Sequence, residues 1–77
     1  MLTEFQGRRY STVRASDLER DGMALELQQD GRVVAEVFYL DAFGEFTISL
    51  FEEGLPLPVI EQLISEARAT LVPVRKG

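Results

Sequence analysis

The chain has no cysteine and no histidine, and its single lysine, Lys76, stands one residue from the end of the sequence. Without thiols there can be no disulfide and no thiolate nucleophile; without imidazole as well, the usual zinc ligand sets and histidine general bases are also excluded. Ser11, Ser49 and Ser65 therefore have no histidine to activate them. The glycines are scattered through turns and never cluster into a phosphate-binding loop. The longest apolar runs fall far short of a membrane span, and the opening Met1-Leu2-Thr3-Glu4-Phe5 has neither a basic stretch nor a long apolar core. A cytoplasmic location is the resulting expectation.

What is present is an ordinary globular balance. Hydrophobic residues make up 45% and charged residues 27% of 77 positions, unlike the depleted, highly charged composition of a disordered chain. A chain of this size buries only about 60% of its unfolded surface, so one modest core must hold it without covalent staples. Net charge is −5, which repels phosphate backbones and anionic lipid unless a local basic patch overrides it. Residues 1–32 hold five arginines against six acidic groups, and residues 33–77 hold three basic against seven acidic, so any basic patch belongs to the first half.

Local pattern predicts an α+β domain spanning residues 1–77. It consists of an antiparallel meander of three or four strands and one C-terminal amphipathic helix packed on one face, with residues 1–7 and 74–77 frayed. The strongest signal is Asp30-Gly31 between two β-rich runs, Met23 to Leu27 and Arg32 to Leu40. A two-residue turn there would put Glu36 on the face of Met23, Leu25 and Leu27. A three-residue loop with Gly31 left-handed puts Val33, Ala35 and Val37 there instead, and is preferred because it buries no charge. A four-residue loop at Asp41 to Gly44 then pairs Tyr39 with Phe46, Val37 with Ile48 and Ala35 with Leu50. Both hairpins agree on one apolar face.

Glu52 to Pro58 breaks the strand, and Pro58 suits the first turn of a helix. Ile60, Leu63, Ile64, Ala67 and Leu71 recur at three- and four-residue steps, a stripe expected to cover the sheet face. Arg8 to Arg14 reads as the fourth strand, and Ala15 to Asp21 as a connection with room for one helical turn capped by Ser16.

Three constellations bear on chemistry. Asp17, Glu19 and Asp21 followed by Gly22 match the first half of a calcium loop, but the twelfth position, which should supply a bidentate carboxylate, is Gln28. A solvated acidic turn is the simpler reading, and no metal or cofactor is expected. Arg8, Arg9 and Arg14 around Tyr10 could grip phosphate while the ring stacks on a base, the alternative reading as a nucleic-acid-binding regulator. The acidic remainder argues against it. Carboxylates occur in number, yet a flat sheet offers no cleft to separate an acid from a base, so the chain is read as non-enzymatic. Glu52 and Glu53 are read as partners for the dipole of the following helix.

The sheet face away from the helix is the more informative feature. There Val34, Phe38 and Phe51 are expected as apolar anchors among Glu26, Glu36 and Glu45, which would steer an encounter. The expected role is a protein-interaction domain that pairs with itself as a homodimer or with a basic partner protein.

Overall fold

Alternating side chains and tight turns fold the first two thirds of the chain into a single antiparallel sheet, seen in a computed structural model that describes residues 2–17 and 22–71. The strands are β1 (Leu2–Phe5), β2 (Arg8–Asp17), β3 (Gly22–Gln29), β4 (Arg32–Leu40) and β5 (Glu45–Leu50), hydrogen-bonded in sequence order, and helix α1 (Leu57–Thr70) follows. The architecture is the expected α+β meander, with β1 as an additional edge strand. Residues 2–5, expected to fray, pair with Arg8 to Ser11 across a Gln6-Gly7 turn in which both residues have positive φ, 53° and 79°. Asp30 and Gly31 repeat that geometry at 54° and 78°, the signature of a two-residue hairpin turn.

The β3–β4 turn is therefore the two-residue form, not the three-residue loop preferred from sequence. Gln29 pairs with Arg32 and Gln28 with Val33, and the register then shifts between Leu27 and Gln28, so that Leu27 faces Ala35 and Leu25 faces Val37. A β-bulge at Val34 takes up the extra residue. It keeps Glu36 off the core face by a different route and exchanges two valines, since Val34, not Val33, enters the core. The β4–β5 register follows expectation, with Tyr39 opposite Phe46, Val37 opposite Ile48 and Ala35 opposite Leu50.

β2 runs on to Asp17, through residues expected to form a connection; Leu18 to Asp21 lie outside the described residues, as does the tail at 74–77. Gly22 resumes the ladder as β3. A Cβ on Gly22 would collide with the Tyr39 carbonyl oxygen and stand 2.6 Å from Cζ of Phe38, so the ring of Phe38 occupies the space that a side chain would need.

The core lies between the sheet and α1. Tyr10, Leu25, Leu27, Val34, Ala35 and Val37 meet Val59, Leu63, Ala67 and Leu71 of the helix and its C-cap, and every one of these is buried. Each large side chain removed from water there contributes about 1.5–3 kcal/mol. Ala35 and Ala67 let the helix approach closely. Pro58 falls in the first turn as expected, with Pro56 at the N-cap. The buried stripe centres on Val59, Leu63 and Ala67, whereas Ile64 is 37% exposed.

That rotation goes with an off-centre position. The Thr12 hydroxyl donates to both carboxylate oxygens of Glu66, at 3.1 and 3.0 Å, tying the helix to β2. The far side of the sheet is left open: Ile48 and Leu50 share the core face of β5 yet are 45% and 57% exposed. The helix covers β2 to β4 and not, as expected, the whole face. No helix among the described residues is long and apolar enough to cross a membrane.

Two substitutions test these contacts. Gly22→Ala is expected to lower the unfolding free energy by about 3 kcal/mol in urea titration, because backbone and ring must both move. Thr12→Val leaves the Glu66 carboxylate without that donor and is expected to cost about 1–2 kcal/mol in the same titration.

Candidate functional site

The outer face of the sheet does not present the anchors expected of it. Val34 is 0% exposed and belongs to the core on the helix side, because the bulge turns it inward. Phe38 does lie on the outer face, directly opposite Ala24, but it is 4% exposed with its ring against Gly22. Small residues opposite and diagonal to it let the ring lie down on the sheet. Glu26 and Glu36 face each other across the β3–β4 ladder, both half-buried, and Glu45 is exposed at the start of β5. Of the three apolar anchors only Phe51 is open, at 58%.

The arginine and tyrosine strand is also rearranged. Tyr10 is completely buried in the helix-side core, so its ring is not free to stack on a base; Arg8, Arg9 and Arg14 remain exposed around it. Its partner across the ladder is Gln29, and both the Tyr10 hydroxyl and Oε1 of Gln29 are buried without a hydrogen-bond partner among the described residues. An orphaned hydroxyl stabilises nothing. Tyr10→Phe is accordingly expected to leave the unfolding free energy unchanged or to raise it by up to about 1 kcal/mol, measured by thermal and urea unfolding.

Glu19 and Asp21 of the acidic string lie outside the described residues, and no cluster of three or more Asp or Glu able to hold a metal forms among the described residues. Glu52, expected near the helix dipole, forms an ion pair with Arg32 across the end of the sheet; both groups are partly open to water, so the pair adds little.

What the structure brings together instead is a trough between β5 and α1. At one end a cavity of about 150 Å³ opens between Phe46 and Ile48 of the strand and Ile64 and Arg68 of the helix. At the other, a wider depression is lined by Leu50, Phe51, Leu55, Leu57 and Glu53. Phe46 is positioned by Tyr39, with ring centroids 4.8 Å apart and planes tilted by 53°, and the Arg68 guanidinium lies over the Phe46 ring at 5.8 Å from its centroid. The floor and walls are apolar, with exposures of 45% at Ile48, 57% at Leu50 and 66% at Leu57. The ends carry opposite charge. Arg68 marks the Phe46 end, and Glu52 and Glu53 mark the Leu50 end.

β5 is also an open edge of the sheet. The Phe51 N–H donates to the Val34 carbonyl at 2.9 Å, and paired and unpaired positions alternate in an antiparallel ladder. The main-chain groups of residues 45, 47 and 49 therefore turn to β4, and those of Phe46, Ile48 and Leu50 turn outward. The same three residues offer apolar side chains to the trough and, at the edge, main-chain groups without a partner strand among the described residues.

No family model, curated protein or solved structure matches the chain. The trough and edge were not identified from sequence because Ile48 and Leu50 alternate like any core positions. The available signal was the helix pattern, in which Val59, Leu63 and Ala67 make as good a stripe as one centred on Ile64.

Proposed function

We propose that the chain is a small cytoplasmic protein-interaction domain, acting by binding and not by chemistry, and that its binding surface is the β5–α1 trough with the adjoining open edge. The observation that carries this reading is the exposure of Ile48 and Leu50 on β5, with Phe51 just after it and Leu57 at the start of α1, beside an edge whose main-chain groups are unpaired among the described residues. Scattered apolar residues are normal on any surface, but a contiguous apolar strip beside an edge is the arrangement through which sheets recruit another chain. Main-chain hydrogen bonds along Phe46, Ile48 and Leu50 would supply affinity, and the cavity at Phe46 and Ile64 would select a side chain. The acidic net charge and the buried Tyr10 ring both weigh against nucleic acid as the ligand.

A photo-cross-linking residue placed at Leu50, in the trough, and separately at Val13, on the outer face of β2, tests this in cells that produce the chain. Protein adducts are expected from position 50 and not from position 13, and Ile48→Lys in the same chain should reduce them at least about tenfold. Equal labelling from both positions, or none from position 50, overturns the reading.

A further inference from the structure

The edge and the trough together specify what can occupy them. Natural sheets protect their edges by shortening the strand, by placing charge or proline in it, or by covering it. β1, the edge on the opposite side, is four residues long and carries Glu4 in its middle. Among the described residues β5 has no such protection. Phe46-Thr47-Ile48-Ser49-Leu50 contains neither charge nor proline, and α1, which reaches Phe46 through Arg68, leaves Ile48 and Leu50 exposed.

We propose that the occupant is a second copy of this chain, paired antiparallel through β5 about a two-fold axis at Ile48. This rests on the trough and edge being the binding surface. The register follows from which main-chain groups point outward. Ile48 is free to exchange both hydrogen bonds with its own symmetry mate, and Phe46 does the same with the partner's Leu50. Because the axis is perpendicular to the sheet, the two triplets of Phe46, Ile48 and Leu50 stay on one face and join into a single apolar band.

Charge complementarity selects this arrangement. Antiparallel pairing brings the Phe46 end of one trough to the Leu50 end of the other. Arg68, seated over Phe46, then stands at the end where the partner subunit's Glu53 lies, and the symmetric contact repeats across the axis. Neither Arg68 nor Glu53 forms an ion pair among the described residues, whereas Glu52 is held by Arg32. Parallel pairing of the same edge needs a two-fold axis along the strand, which puts the two helices on opposite faces of the sheet and leaves neither Arg68 nor Glu53 a partner across the seam. Charge therefore favours the antiparallel pair.

Sedimentation equilibrium of the full chain tests this, with circular dichroism to confirm that each variant is folded. The wild type is expected to sediment at twice the 8.7 kDa of one chain at micromolar concentration. Arg68→Glu and Glu53→Arg should each weaken dimerisation about tenfold or more, and the double variant should recover to within about threefold of wild type, since it restores both contacts with the signs exchanged. Ile48→Lys should leave a folded monomer. A wild-type monomer at 100 µM, or a dimer that neither Ile48→Lys nor the charge reversals weaken, overturns the proposal. Adducts from position 50 to a different protein would also overturn it, while leaving the trough as a binding surface; no adducts from position 50 would remove both.

Discussion

The extra residue that Val34 inserts into β4 decides what every later part of the chain faces. The Asp30-Gly31 turn alone, continued without a shift, would set Leu27 against Val34 and Leu25 against Glu36. Glu36 would then point under the helix, and an unpaired carboxylate buried there costs on the order of several kcal/mol. The bulge moves Val34 into the core and turns Glu36 to the other face, at the expense of one interruption in the ladder. β5 inherits its register from β4, so the side on which Phe46, Ile48 and Leu50 lie also follows from that shift.

Much of this was legible from the residues. Alternation and the four-residue loop at Asp41 to Gly44 place β4 against β5 correctly, because an apolar face shared by two hairpins leaves few consistent registers. Glu36 must stay out of the core, and the molecule meets that requirement with a bulge and not with the longer turn that the sequence suggests. Sequence cannot readily distinguish a three-residue loop from a tight turn with a bulge one step further on, since both absorb one residue. The difference is carried by Val33 and Val34, identical side chains whose exchange leaves no compositional trace. β1 was missed for a simpler reason: Gln6-Gly7 is a usable two-residue turn, but four residues give too short an alternation to register as a strand.

The surface follows from how the helix sits, and sequence pattern is least informative about that. A stripe of apolar residues states which side of a helix is buried, not which strands lie beneath it. The position depends on close packing at Ala35 and Ala67 and on the hydroxyl of Thr12 reaching Glu66, a contact 54 residues apart in the chain. Lying over β3 and β4, α1 leaves Ile48 and Leu50 of β5 largely exposed. The outer face, which looked more apolar than a solvated face requires, gives up its two main anchors to the bulge at Val34 and to the space that Gly22 leaves for Phe38.

The two rims of the sheet differ in kind, and that difference sets a limit on growth. A meander whose rims could both accept a neighbour would add copies without end, each new molecule presenting a fresh template for the next, which is the geometry of a fibril. Among the described residues the rim opposite β5 comes in two pieces, Leu2–Phe5 with Glu4 in it and the stretch of β2 from Thr12 that β1 does not reach, which carries Arg14, whereas the rim at Glu45–Leu50 is continuous and uncharged in its interior. A sheet with one uninterrupted, uncharged rim offers a place to one neighbour and not to a growing row of them.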